Sequence, residues 1–136
     1  MILVINTSNE NAYIGIYDKV LVAELSWNTG KTLSADLLNK FSELFMKANL
    51  EIEKVTGIII SSGPGSFTGL RIGISTANTI AYSLNIPIVG VSGNKNTDEL
   101  FSEGRTLLKK ENKGFVSPLE PFYGTQPSVT ISKKVL

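Results

Sequence analysis

The residues whose types and spacing could support chemistry lie together in one glycine-rich stretch, residues 61–71. This stretch follows an apolar run and precedes a helix-period pattern, which is typical of a turn from a buried strand into a helix. Gly63 and Gly65 can adopt positive φ or admit a close backbone, and Pro64 fixes φ between them. Ser66 is a favourable N-cap. Two interpretations stay open: a purely structural turn, or an anion site where free N–H groups and the helix dipole attract a phosphate.

The phosphate-binding interpretation lacks its usual fingerprint. A Walker loop needs Lys followed by Ser or Thr after its last glycine, whereas Gly69 is followed by Leu70 and Arg71. We therefore predict a structural turn made of Gly63, Pro64, Gly65 and Ser66. The alternative is a small ATPase or phosphotransferase in which this glycine-rich loop and residues 6–8 bind phosphate.

The composition excludes several kinds of chemistry. The 136-residue sequence has no cysteine and no histidine. A disulfide framework, a cysteine metal site and the commonest general base are therefore ruled out. Any catalysis would have to use carboxylates, Lys, Tyr, Ser or Thr. We predict no cofactor and no metal site.

Length and charge suggest one domain with a basic end. No apolar run approaches the ~20 residues of a membrane span, and Met1 opens directly into a strand pattern, so we expect a cytoplasmic protein without membrane contact.

Residues 105–136 contain six Lys or Arg against two Glu. A solvated tail explains this charge better than a nucleic-acid site, because no aromatic residues alternate with the cations.

Hydrophobic periodicity predicts a mixed five-stranded α/β sheet in βββαβαβ order, with helices packed on it. The predicted strands are residues 1–5, 12–17, 20–27, the apolar run 57–60, and 86–91. The predicted helices are residues 34–49, capped by Ser34, then 67–84 and 96–108. Beyond Lys109 the hydrophobic periodicity is lost, and we predict only a short edge strand at residues 128–132.

Two helix faces are candidates for a partner contact. The first helix has a core face made of Leu37, Leu38, Phe41, Leu44, Phe45 and Ala48, and its other side carries Asn39, Ser42 and Met46. The second helix has, beside its core stripe, a face of mostly small residues: Gly69, Gly73, Thr76 and Ile80. Two glycines inside a helix cost roughly 1 kcal/mol each relative to Ala, so a close neighbour should need them. That neighbour is either the chain's own sheet or a partner helix, and we assign both faces to a partner interface.

Several segments together resemble the TsaB (YeaZ-like) family, bacterial proteins of tRNA threonylcarbamoyladenosine (t6A) biosynthesis. The run 62–73, continued by 86–92, carries the resemblance, and residues 1–8 and 30–34 add to it. It covers residues 1 to about 93.

The resemblance implies a ribonuclease H-like half, the fold that the actin, Hsp70 and sugar-kinase superfamily uses in pairs with a nucleotide between the halves. We expect residues 1–104 to form this domain and residues 105–136 a basic, proline-containing C-terminal extension. Residues 122–130 resemble the family's ending, so we expect a compact short form of the family.

The resemblance also implies a function. A TsaB protein is a non-catalytic scaffold subunit of the complex that makes t6A37, pairing with the catalytic TsaD subunit as a heterodimer. It also supports the ATPase TsaE, meets tRNA indirectly through the complex, and can form a homodimer when alone. Two departures favour a scaffold over an enzyme: Asn6 stands where related proteins place an Asp, and Leu33 where many have a His. A neutral amide is a poorer Mg²⁺ ligand than a carboxylate.

Overall fold

The computed structural model describes residues 1–111 and 114–122. The strands in this part of the chain are β1 (Ile2–Asn6), β2 (Asn11–Asp18), β3 (Val20–Asn28), β4 (Gly57–Gly63) and β5 (Ile88–Ser92). The α-helices are α1 (Leu33–Ala48), α2 (Phe67–Leu84) and α3 (Thr97–Leu108). The predicted order of strands and helices is confirmed.

All five strands form one mixed sheet in the order β3-β2-β1-β4-β5. The first three strands pair antiparallel, whereas β1 pairs parallel with β4 and β4 parallel with β5. Every residue of β4 is buried, as expected for an apolar strand with helices on both faces. The mixed sheet and its helices confirm the predicted fold class.

Among the described residues, two helices cover one face of the sheet and one helix covers the other. The first layer packs α1 and α2 on the sheet through buried residues that include Leu37, Phe41, Leu70 and Ile74. On the opposite face, α3 lies over β4 and β5, and its Leu100 is buried among Val4, Ile59 and Val89. Gly104 permits this contact, because a β-carbon there would overlap the side chain of Ile59. The sheet therefore positions the ends of β1 and β4 beside the start of α2.

Two local predictions for α1 were wrong. The N-cap is Thr32 rather than Ser34. Leu38, which was predicted to face the core, is 65% exposed. At about 100° per residue, Leu38 lies just outside the arc of about 120° that holds the buried residues of α1, which are Leu33, Leu37, Phe41, Leu44 and Phe45.

The predicted domain boundary between residues 104 and 105 lies inside α3. Residues 105–108 therefore belong to the same folded unit as the rest of the helix. The strand predicted at 128–132 lies outside the described residues, as do three cations of the predicted extension, Lys113, Lys133 and Lys134.

After α3, residues 114–122 run back along the outer flank of α2. The Phe115 amide donates to Asn85 Oδ1 at 3.1 Å. Further along, the Leu119 amide donates to Asn78 Oδ1 at 2.9 Å, and Asn78 Nδ2 donates to the Leu119 carbonyl at 3.1 Å. These bonds fix the segment to one side of α2 and leave the side towards α1 uncovered by it.

Candidate functional site: the glycine-rich turn and the adjoining helix pair

The turn between β4 and α2 is closed by the chain's own backbone. Gly63 has φ of 114°, in the region that favours glycine, and the Gly63–Pro64 peptide bond is cis. The Phe122 amide donates to the Ser62 carbonyl at 2.6 Å. A β-carbon on Gly63 would overlap the Phe122 carbonyl oxygen. The structure thus gives Gly63 both a conformational and a steric reason to be glycine.

The second half of the turn packs on the end of β1. A β-carbon on Gly65 would overlap the Ser8 carbonyl oxygen, and the Ser66 amide donates to that oxygen at 2.7 Å. Ser66 is the N-cap of α2, since its Oγ accepts a hydrogen bond from the Gly69 amide at 3.1 Å. Two N–H groups that a phosphate could have used, those of Ser66 and Gly69, are therefore engaged within the chain.

The polar residues at and after the end of β1 form hydrogen bonds within the chain. Asn6 Oδ1 accepts hydrogen bonds from the Ser8 amide at 2.9 Å and from Ser8 Oγ at 2.6 Å. Thr7 is buried, and its hydroxyl donates to the Gly69 carbonyl at 2.7 Å. The arrangement stabilises the junction of β1 with α2, and the Asn6 side-chain oxygen accepts both of its hydrogen bonds from Ser8.

Gly69 and Gly73 do not belong to a partner face, and their assignment to one was wrong. Both are buried. A β-carbon on Gly69 would overlap the Thr7 carbonyl oxygen, and one on Gly73 would overlap Thr7 Oγ1. The close neighbour that these glycines require is the end of β1, because parallel pairing of β1 with β4 brings Thr7 against α2.

The other predicted interface residues lie on the outer side of the α1–α2 layer, and those on α1 are exposed. Asn39 and Ser42 are exposed, and Met46 is 81% exposed. Thr76 and Ile80 of α2 are half-buried, and the Thr76 hydroxyl donates to the Ile72 carbonyl.

Sequence reasoning missed apolar residues on the same outer side. Leu38 lines a groove of about 510 Å³ between α1 and α2, together with Ile72 and Thr76. It also lines a second groove of about 360 Å³ with Ser42 and Ile80. The signal was available, since Leu38 lies 100° from the Leu37 core position and on the side of Ser42. We call Leu38, Asn39, Ser42, Met46, Ile72, Thr76 and Ile80 the helix-pair surface.

A tyrosine pair lies on the opposite face of the sheet. The Tyr13 hydroxyl donates to Glu24 Oε1 at 2.8 Å and shares a 2.9 Å hydrogen bond with the Tyr17 hydroxyl. Burial raises the pKa of Tyr13 well above its ordinary value, and the bonds to Tyr17 and Glu24 add to the effect. Burial likewise raises the pKa of Tyr17. Both phenols therefore stay protonated at neutral pH and act as hydrogen-bonding groups.

Within residues 1–111 and 114–122, no cluster of three His, Cys, Asp or Glu side chains could hold a metal ion. None of the helices in that part of the chain is both long and apolar enough to cross a bilayer.

Comparison with known proteins identifies related sequences. The family model "TsaD: tRNA N6-adenosine threonylcarbamoyltransferase" matches residues 28–95. A tRNA threonylcarbamoyladenosine biosynthesis protein TsaB from Buchnera aphidicola subsp. Schizaphis graminum is 35% identical over 92 residues, which are 68% of this chain and 44% of that protein. The TsaB protein of Bacillus subtilis is 32% identical over 119 residues, 87% of this chain and 48% of that protein. The chain therefore spans less than half the length of these relatives.

The enzyme named in the family model and a solved structure are also similar. A tRNA N6-adenosine threonylcarbamoyltransferase from Geotalea daltonii is 50% identical over 50 residues, 37% of this chain and 15% of the enzyme. YeaZ from Pseudomonas aeruginosa superposes with a TM-score of 0.62 at 26% identity, covering 67% of this chain and 43% of YeaZ.

Proposed function

Because this chain belongs to the TsaB/YeaZ-like family, we propose that it is a non-catalytic subunit in t6A biosynthesis that pairs with a TsaD homologue through the helix-pair surface. The observation that carries the proposal is the exposure of Leu38 and Met46, at 65% and 81%, on adjoining parts of one surface. Burying a side chain of this size fully stabilises a contact by roughly 1.5–3 kcal/mol.

The shape of the surface suits a second pair of helices. The two grooves beside Leu38 can accept apolar side chains, and Ser42 and Thr76 are small enough to let facing helices approach to the usual ~8–10 Å. Residues 114–122 are bonded to the other flank of α2, so they leave this surface free. A contact here would be a four-helix layer.

A TsaD homologue is the partner that this geometry favours. The family model named for that enzyme describes residues 28–95, which include α1 and α2, so the enzyme would present an equivalent helix pair. Two similar surfaces can meet around a pseudo-twofold axis, as isologous interfaces do. Without the enzyme, two copies of this chain could use the same surface, which is how we interpret the homodimer expected from the family.

A scaffold role explains the glycine-rich turn better than phosphate chemistry does. The amides of Ser66 and Gly69 are engaged within the chain, and Asn6 bonds to Ser8. We therefore propose that catalysis belongs to the TsaD homologue and that this chain supports it. We further propose that a TsaE homologue and tRNA join through the assembled complex, in the cytoplasm.

Co-expression provides the test. We expect an affinity-tagged form of this chain to retain the TsaD homologue of the same source, and the pair to run as a 1:1 complex with mass measured by light scattering. If the two purified proteins stay separate at about 100 µM each, the proposal is wrong, because a functional heterodimer should be far tighter.

A further inference from the structure

The sheet ends in two edge strands, β3 and β5, and their outer edges differ. In the order β3-β2-β1-β4-β5, no strand of the described residues lies beyond either of them. On β3, Lys47 Nζ donates to the Glu24 carbonyl at 3.1 Å. A lysine at a strand edge is a common means of blocking further pairing. Among the described residues no side chain hydrogen-bonds to the backbone of β5, so nothing in this part of the chain blocks its outer edge.

The outer edge of β5 offers backbone groups to a further strand. The Gly93 amide, directly after β5, donates to the Gly63 carbonyl of β4 at 2.7 Å. Successive residues point their N–H and C=O groups to opposite sides of a strand, so the residues of β5 that point away from β4 are Ile88, Gly90 and Ser92. Edge groups of this kind are a template for an added strand.

The chain itself has a segment of strand-forming sequence that begins within reach of this edge. The sequence predicts a strand at residues 128–132, Ser-Val-Thr-Ile-Ser, which lie outside the described residues. The Phe122 amide donates to the Ser62 carbonyl at 2.6 Å, at the carboxyl end of β4. From Phe122, the chain to Ser128 can reach about 20 Å. The strand position beyond β5 is closer, because even from the far side of β4 it lies only about 15 Å away.

We propose that residues 128–132 add to the outer edge of β5 as an antiparallel strand, with Thr130 opposite Gly90. The direction follows from the connection, because the chain arrives at the carboxyl end of β5 and returns along it. In this register Ser128 and Ser132 face the two other outward residues of β5, at its ends. Pro127 then lies where the backbone nitrogen points to solvent and no N–H is needed.

The register puts the apolar residues of the segment on the α3 side of the sheet. Opposite residues of an antiparallel pair share a face, so Val129 lies beside Val91 and Ile131 beside Val89. Both valines of β5 are buried in a cluster with Leu100 of α3. A shift of one residue would turn the apolar side chains of the segment to the other face, so burial selects this register over its immediate neighbours.

An exposed leucine of α3 lies where these apolar residues would pack. At 100° per residue, Phe101 and Leu107 lie about 60° to either side of Gly104, which contacts β4. Phe101 stacks on Tyr17 of β2, so Leu107 lies on the flank towards the outer edge of β5. Leu107 is 38% exposed. Ile131 of the added strand would cover it.

This added strand goes beyond the proposed function and does not depend on it. The outer edge of β5 is separate from the helix-pair surface, which lies on α1 and on the side of α2 towards α1. A failure of pairing with a TsaD homologue would leave the added strand unaffected.

Engineered disulfides test the register in the full chain, which has no cysteine of its own. Hydrogen-bonded residue pairs of an antiparallel ladder have Cα atoms about 5.5 Å apart, within the range of a disulfide. We expect Ser92→Cys/Ser128→Cys to form an intramolecular disulfide at least about tenfold faster than Ser92→Cys/Ser132→Cys, whose Cα atoms would be roughly 14 Å apart. Ser26→Cys/Ser128→Cys is the matched control for pairing with β3, and it should also be slow. Peptide mapping without reductant measures all three.

Equally fast oxidation of either control pair would overturn the proposal, and so would a disulfide that joins two molecules at about 10 µM protein, where an intramolecular pair has the higher effective concentration. Amide hydrogen exchange decides the case if all three pairs oxidise slowly. Thr130→Pro removes the N–H that would donate to the Gly90 carbonyl. The Gly90 amide should then exchange at least about tenfold faster than in the wild type, while the amides of β1 stay protected. Equal exchange at Gly90 in the two proteins would contradict the added strand.

Discussion

Gly73 in α2 lies directly against Thr7 at the end of β1, where a β-carbon on the glycine would overlap the threonine Oγ1. The same hydroxyl donates to the carbonyl of Gly69, one turn earlier in α2. The glycine-rich start of α2 is thus fitted to the chain's own central strand. Both positions, Gly69 and Gly73, require glycine because a β-carbon there would overlap Thr7 of the same chain.

We expect Gly73→Ala to lower the free energy of unfolding by about 1–3 kcal/mol, because the added methyl group overpacks the contact with Thr7. Ser75→Ala, at an exposed position of the same helix, should be nearly neutral. In a Thr7→Ala background the loss at Gly73 should shrink, which a urea-unfolding double-mutant cycle would show. Gly73→Glu should unfold the chain, and a folded Gly73→Glu variant would contradict the assignment of Gly73 to the core.

Gly63→Ala and Gly65→Ala should each destabilise the fold by about 1 kcal/mol or more. Gly63 is at positive φ and against Phe122, whereas Gly65 is against Ser8. Gly30→Ala is the comparison, because Gly30 has φ of 52°, which L residues can adopt, and open space around it. We expect Gly63→Ala to lower the melting temperature more than Gly30→Ala, because φ of 114° is less accessible to alanine and Phe122 is in the way, and equal shifts would contradict both causes.

Leu38→Asp and Met46→Asp should each weaken pairing with a TsaD homologue at least about tenfold, because each buries a charge in an apolar contact. Both side chains are exposed in the free chain, so far-UV circular dichroism should not change. Val116→Asp is the control, since Val116 is 67% exposed in the segment on the other flank of α2. Calorimetric titration measures the three affinities. Undiminished binding by both helix variants would place the interface elsewhere.

The purified chain should not hydrolyse ATP. The reason is local: Asn6 bonds to Ser8, and the Ser66 amide bonds to the Ser8 carbonyl. Phosphate release from ATP and Mg²⁺ is the direct measurement. ATP turnover that persists through purification and disappears in both Asn6→Ala and Ser66→Ala would contradict the scaffold proposal.

The tyrosine pair should make stability fall at high pH. The folded-state pKa of Tyr13 lies above the ordinary value of 10.0. The group therefore contributes its full stability below about pH 10, and loses it as pH rises towards the folded-state pKa. Tyr13→Phe should cost about 1 kcal/mol at pH 7 through the lost bond to Glu24. Above pH 10 its melting temperature should decline less steeply than that of the wild type, and parallel declines would exclude Tyr13 as the titrating group.

The sequence by itself determined features that depend on neighbouring residues. The bounds of α2 and the Ser66 cap were predicted correctly, because an N-cap needs only its own side chain and the amide of Gly69 three residues on. The apolar runs of β1 and β4 likewise predicted buried strands. The segments that resemble TsaB predicted the family. The structural role of Gly63 and Gly65 stays a prediction until their substitutions are measured.

Only the tertiary structure decided which way the helix faces point. Periodicity fixes the angle between two residues on a helix but not the direction of the sheet, so it could not separate the Gly73 face from the Thr76 face. Parallel pairing of β1 with β4, distant in sequence, brings Thr7 to Gly69 and Gly73 and makes that face internal. The same packing buries the arc of α1 that includes Leu37 and leaves Leu38, which lies just outside that arc, exposed.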